Sequence, residues 1–323
     1  MASVVLGLAS SHGPQLRTPP GKWPLFLGKD QNDHRFDYQE LLRHAKPEIA
    51  EQLTAEIFHS KYDACQAALA SLRRTLTATA PDTVIVIGDD QHEQFTEHNM
   101  PMFSIFYGTT MEQIPRSAQR RATWWDSAAA YGDQAQRSFK CDAGLALHLI
   151  QHLIAQGFDI AASSRLNSEM GIGHAFSFIT DHIFAEPTAS AAPPIVPLMV
   201  NAFFHPNRPQ PARCYDLGKA LSRALKDWPG EQRIAIVASG GLSHFIIDEE
   251  LDRTLLDGLI EKNQQALAHL PLDRLWRLGT GEGLNWIVAG GALEHLQPEL
   301  VKYVPCYRTP AGTGCAMGFM LWQ

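Results

Sequence analysis

Three histidines in this chain stand directly after apolar, strand-like runs. VVLGLASSH ends at His12, TVIVIGDDQH at His92 and RIAIVASGGLSH at His244. In an α/β sheet the residues just past the strand carboxyl ends gather at one rim, where ligands bind. Imidazoles collected there, joined by a carboxylate, are suited to hold a divalent metal and leave positions open for substrate. A single histidine in such a place is ordinarily a hydrogen-bonded loop residue; three after three strands point to a metal-dependent enzyme.

Other runs add to this set. GGLSH places two glycines before Ser243 and His244, which permits a tight turn and a close approach of backbone to ligand. GTGEGLNW sets Glu282 where a helix begins, although an acidic residue there also suits the helix dipole. GIGHAF puts His174 at another loop-to-helix junction, and GDDQHEQF crowds Asp89, Asp90, Gln91, His92 and Glu93 behind a buried strand. The five cysteines include no CxxC pair and read as reduced, mostly buried thiols. Any metal site is therefore built from histidine and carboxylate. The chain has no GxxxxGK[ST], HExxH or GxSxG, and its GxG pairs lack the spacing of the dinucleotide fingerprint.

The elements that must position these residues alternate between strand and helix. Val4–Leu8, TVIVIG, MFSIFYG, DIAAS, IVPLMVNAFF and RIAIVAS read as strands, and the terminal GTGCAMGFMLW as a loop and a last strand. Leucine spacings of three and four around Leu69, Leu149, Leu221 and Leu255 read as helices, as does GLNWIVAGGAL with small residues along one side. The pattern predicts one α/β domain over residues 1–323, with a central, mostly parallel or mixed sheet covered by helices on both faces. Two stretches fall outside it. Residues 13–35 are polar and proline-bearing, a candidate active-site loop, and residues 109–139, with Trp124, Trp125 and Tyr131, read as a lid or a packed excursion.

Composition excludes several classes. A net charge of -7 without a basic block argues against nucleic acid, and no apolar run reaches the ~18 residues of a membrane span. The N-terminus lacks a basic leader and reads as a first strand, which predicts a cytoplasmic protein.

SSHGP around His12, GGLSHF around His244 and ExxNW around Glu282, taken in order, resemble the class III extradiol ring-cleavage dioxygenases. The likeness is greatest to the protocatechuate 4,5-dioxygenase β-subunit and the gallate and 3-O-methylgallate dioxygenases, and YRTPAGTGCAMGF fits the methylgallate-type branch. The resemblance implies Fe(II) held by two histidines and one glutamate. It matches His12 and Glu282 to two of these ligands, His244 to the acid–base histidine and His174 to a second pocket histidine. The remaining ligand matches His92 by its place after the strand, but anchoring on Phe95 puts Gln91 there, and His59 competes from a helical stretch. NAFFHPNRP and the Gly283-Leu284 pair depart from the family pattern. The implied reaction inserts both atoms of O₂ into a small carboxylated catechol such as 3-O-methylgallate, gallate or protocatechuate. The carboxylate needs a cation, for which Arg308, Arg208 and Arg165 are candidates. The resemblance also implies a homodimer, with or without a small separate α-type subunit. The alternatives are a metal-dependent hydrolase and a non-catalytic metal- or ligand-binding protein on the same scaffold.

Overall fold

A computed structural model of the chain describes residues 2–114, 136–184 and 192–323. Its strands are β1 (Ser3–Ser10), β2 (Thr83–Gly88), β3 (Phe103–Phe106), β4 (Thr110–Gln113), β5 (Arg137–Lys140), β6 (Ile160–Ser163), β7 (Ile195–Val200), β8 (Arg233–Ser239), β9 (His244–Ile246), β10 (Pro298–Tyr307) and β11 (Thr313–Trp322). The longer helices are α1 (Ala55–Thr79), α2 (Ala143–Ala155), α3 (His174–His182), α4 (Pro211–Lys226), α5 (Glu249–Ile260) and α6 (Gly283–Ala292).

Among the described residues, one nine-stranded sheet runs in the order β10-β11-β1-β8-β2-β7-β3-β6, with β9 added on β11. The strands β1, β8, β2 and β7 are mutually parallel, whereas β11 lies antiparallel to β1 and β3 antiparallel to β7. The sheet is therefore mixed, with a parallel centre. Parallel strands need helical crossovers that cover both faces, and both faces are accordingly apolar. In β2, Ile85 and Ile87 face a core built with α2, α4, α5 and α6, while Val84 and Val86 face a second core built with α1 and α3. That alternation is why TVIVIG reads as an unbroken apolar run and is buried throughout.

Local chemistry sets the helix ends. Thr54, Asp142 and Asp248 cap α1, α2 and α5 by accepting from the backbone N–H of Ile57, Leu145 and Leu251. Each such cap is worth about 1 kcal/mol. The small residues predicted along GLNWIVAGGAL are where α6 meets α4. A Cβ at Gly218 would fall on the Val288 carbonyl, and one at Gly291 on that of Tyr215, so the two helices pack backbone to backbone.

The stretches outside the pattern take these forms. The 13–35 stretch, the candidate active-site loop, folds as two 3₁₀ turns, Pro14–Leu16 and Pro20–Leu25, followed by the short helix Phe26–Gln31. Trp23 and Phe26 anchor it by packing beside Phe58 of α1 in the core. The 109–139 excursion begins and ends in the paired strands β4 and β5; the body of it, with Trp124, Trp125 and Tyr131, lies outside the described residues. The apolar run at 195–204 ends as a strand at Val200, where Asn201 takes over and its side chain bonds the backbone of Phe204 and Asn207.

Candidate functional site

β1, β2 and β8 end side by side, and the residues that follow them meet the start of α6. His12, His174, His244 and Glu282 line a single cavity of about 190 Å³ together with Gly13, Pro14, Arg17, Phe26, Lys29, Arg35, Gln91, Phe245 and Arg308.

Each histidine is held by its Nδ1 atom. His12 Nδ1 lies 3.0 Å from the Ser239 hydroxyl, which itself donates to the Ala175 carbonyl at 2.6 Å. A hydroxyl has one proton to give, so Ser239 accepts from His12 and the imidazole carries its proton on Nδ1. His244 Nδ1–H donates to the Leu242 carbonyl at 2.8 Å. His174 Nδ1–H donates to Glu93 Oε2 at 2.8 Å, while Glu93 Oε1 accepts the His174 backbone N–H at 2.8 Å. In all three the Nε2 atom is turned toward the cavity.

Two carboxylates face these nitrogens. Glu282 lies at the N-terminus of α6, with Oε2 3.2 Å from His12 Nε2 and Oε1 3.2 Å from His244 Nε2, and it accepts the Gly241 backbone N–H. Asp89, buried just past β2, holds Asn285 through Oδ1 and brings Oδ2 to 3.5 Å from His174 Nε2. His12 Nε2, His174 Nε2 and Asp89 Oδ2 are buried and have no hydrogen-bond partner among the described residues. A nitrogen lone pair cannot bond a carboxylate directly, so the 3.2 Å His12–Glu282 approach is not a hydrogen bond in this tautomer.

One ligand atom from each of His12, Asp89, His174 and Glu282 falls within 4.8 Å of the other three. Unsatisfied buried polar atoms are costly, and four converging donors of these types are what a divalent cation satisfies. These residues therefore fit a metal ion, which belongs among their Nε2 and carboxylate atoms.

The electrostatics express the same demand. Burial pushes His12 below its ordinary value against the pull of Glu282. Burial opposes ionisation of Glu282, yet His244 and His12 hold it well below the carboxylate range. Burial and then the Glu282 charge push Asp89 well above its usual value. Burial disfavours a charged His174, but Glu93 and Asp89 outweigh it and carry the group to about 9. Burial also works against charge on His244, and Glu282 overrides it to a net rise. Protons answer the two carboxylates here, and a divalent cation answers them equally well.

Glycines make the close approach possible. A Cβ at Gly279 would strike the His244 ring, and one at Gly241 would strike the same ring and crowd Glu282. This is the physical content of GGLSH and GTGE.

The other sequence-selected residues are placed differently. His92 takes φ +62°, stacks on Phe204 at 3.9 Å and brings Nδ1 to 3.8 Å from the exposed Glu97. It is not part of the converging set; Gln91 beside it lines the cavity. The turn is tied by Asp90, whose carboxylate accepts the N–H groups of Glu93, Gln94 and Phe95, and this aims Asp89 inward and His92 outward. His59 is exposed on α1, its Nδ1 on the Ala55 carbonyl. Of the arginines, Arg308 lines the cavity; Arg208 packs on Trp276, and Arg165 lines a separate cavity with Asp90 and Phe176. Sequence reasoning noted Asp89 and Glu93 only as members of a polar run, and it passed over Ser239. The signal available for Asp89 was its position as the first polar residue after a wholly buried strand.

A family profile described as the catalytic LigB subunit of aromatic ring-opening dioxygenase matches residues 41–318. His12 precedes the matched stretch. Among curated proteins, the chain is 31% identical over 195 residues to a gallate dioxygenase of Pseudomonas putida, covering 54% of this chain and 51% of that one. It is 28% identical over 179 residues to a 2,3-dihydroxyphenylpropionate/2,3-dihydroxicinnamic acid 1,2-dioxygenase of Comamonas testosteroni, covering 55% and 47%. A protein of the latter name from Rhodococcus jostii is 28% identical over 182 residues, covering 56% and 49%. The chain thus spans about half the length of the curated relatives it matches.

Proposed function

Because the chain belongs to the family of catalytic LigB subunits of aromatic ring-opening dioxygenases, we propose that it performs extradiol cleavage of a small carboxylated catechol with Fe(II). The observation that supports this best is the convergence of His12, Asp89, His174 and Glu282 beside His244, in a cavity open to a small ring. His12 and Glu282 are the ligands in this reading. Asp89 and His174 stand nearest for the remaining protein position, in place of His92 and of the alternatives Gln91 and His59. When bound, ferrous iron would supply a Lewis acid for the catechol oxygens and a path for electrons from the catecholate, which is the reductant, to dioxygen.

The protein's own groups handle the proton. Neutral His244 keeps its Nδ1 proton on the Leu242 carbonyl, so Nε2 accepts a catechol proton and the resulting imidazolium faces Glu282 Oε1. Return of that proton during O–O cleavage completes the exchange. The C–C bond beside the diol breaks, both atoms of O₂ enter the product, and a carboxylate and a carbonyl result. Where Asp89 takes the remaining ligand position, His174, held by Glu93 through Nδ1 and protonated on both nitrogens, donates from Nε2 to the substrate oxygen.

We place the protein in the cytoplasm as a homodimer, with or without a small α-type subunit; no described helix is long and apolar enough to cross a membrane. Oxygen uptake by anaerobically iron-loaded protein on adding gallate or 3,4-dihydroxybenzoate, with a ring-opened chromophore appearing, is the expected result. Iron binding with no oxygen uptake on any catechol would contradict it and favour a hydrolase or a binding protein.

A further inference from the structure

The cavity lining contains two unlike sets of side chains. One is His12, His174, His244 and Glu282, and the other is Arg17, Lys29, Arg35 and Arg308. Apart from Arg308, the cations come from the 13–35 strap, a part of the chain that supplies none of the converging metal donors. The carboxylates that fix them stand behind them, outside the cavity lining. Asp30 takes Arg308 Nε and Nη2 at 2.8 Å each and the Thr313 hydroxyl at 2.5 Å. Asp33 takes Arg35 Nε at 2.7 Å and Lys29 Nζ at 3.3 Å.

The ends of these cations converge on one ring. Arg35 lies 3.9 Å and Lys29 4.7 Å from the centre of Phe245, the residue after His244. Arg308 is wholly buried, and among the described residues its Nη1 meets only the weak acceptor Cys315 Sγ at 3.9 Å. A buried guanidinium with donor capacity left over, on the wall of a cavity, is suited to an anionic guest. Burial, and then Arg308, push the Lys29 ammonium below its ordinary value.

We propose that Lys29 and Arg35, seated on Phe245 and backed by Arg308, form the subsite that receives the substrate's anionic group. The proposal rests on the ring-cleavage reading of the cavity and goes past it by giving substrate selection to the strap. The rim then acts on the diol and the strap on the charge, with the His244-Phe245 pair joining them. Arg165 and Arg208, which do not line this cavity, have no part in the selection.

The test compares 3,4-dihydroxybenzoate with catechol in iron-loaded wild type, Arg35→Gln and Lys29→Gln/Arg35→Gln. The double variant should lose about 10–100-fold in kcat/KM for the acid, mainly through KM, as expected for loss of charge-assisted hydrogen bonds. Catechol turnover should change by less than about 3-fold, and Arg35→Lys should recover much of the loss. Arg35→Gln alone, at a side chain already 42% exposed, gives the same direction of change should the double variant melt early. An unchanged acid-to-catechol ratio in both variants would overturn the proposal. If no catechol is turned over, calorimetric binding of the same two compounds decides it: tighter binding of the acid by wild type, lost in the variants, supports the subsite while refuting ring cleavage. Equal binding of the acid by all three proteins refutes the subsite.

Discussion

β8 and β2 run side by side and parallel, and each is followed by a turn that carries a histidine. The turn after β8 brings His244 into the cavity; the turn after β2 sends His92 out against Phe204 and turns Asp89 in. The reason lies in what holds each turn. After β8, Ser243 is gripped by Asp252, which accepts its N–H and its hydroxyl at 2.7 Å each, while Gly241 and Gly279 leave room for the ring. After β2, the Asp90 carboxylate collects three successive backbone N–H groups and winds the chain through a left-handed residue at His92. Histidine at a strand end is therefore not enough to place an imidazole at the rim. The anchor of the turn decides which side chain arrives there.

The largest expected effect falls on Glu282, shared between the two ring systems. Glu282→Gln should abolish both iron retention and oxygen uptake, and anaerobic metal analysis checks it. A fully iron-loaded Glu282→Gln protein would remove the carboxylate from the ligand set.

Next in size is the histidine delivered by the β8 turn. His244→Phe should keep iron and bind catechol, with turnover lower by roughly 10²–10⁴-fold, the usual worth of general acid–base catalysis. Loss of iron in this variant would make His244 a ligand, and the contrast between acid–base and metal roles on the rim would fail.

The orienting groups come below that. Glu93→Gln and Ser239→Ala each weaken the grip on one Nδ1–H, and both should lower iron affinity by about 10–100-fold. Competitive chelation measures this. No change in Glu93→Gln would mean that His174 does not need to be aimed. The smallest effect belongs to His92 as a packing residue. His92→Ala should lower stability by less than about 1.5 kcal/mol, the scale of one partly exposed aromatic pair, in a denaturant titration.

Much of this arrangement is legible in the residues themselves. Alternation of strand and helix gives the two-faced sheet, because TVIVIG, RIAIVAS and IVPLMV are apolar at successive interior positions and must be covered on both sides. The glycines of GGLSH and GTGE announce a crowded turn, and Glu282 and His174 do stand at helix starts. The strand β10 is harder to see, since Pro298–Tyr307 has no buried residue before Val304 and contains two prolines. The inward turn of Asp89 is not legible either, because it depends on three hydrogen bonds to Asp90 and not on residue type. The role of Ser239 depends on a pairing with a residue 227 positions away. The strap reads as a loop from its prolines, while its cations gain meaning only where the fold sets them on Phe245.

The central claim is that His12, Asp89, His174 and Glu282, and not His92, define the metal site. Anaerobic ferrous titration of wild type, Asp89→Asn and His92→Ala, followed by metal content after gel filtration, tests it most directly. The account predicts about one iron per chain for wild type and His92→Ala, and at least a tenfold weaker affinity for Asp89→Asn. Full retention by Asp89→Asn together with loss by His92→Ala would contradict it and return the ligand to the outward face of the β2 turn.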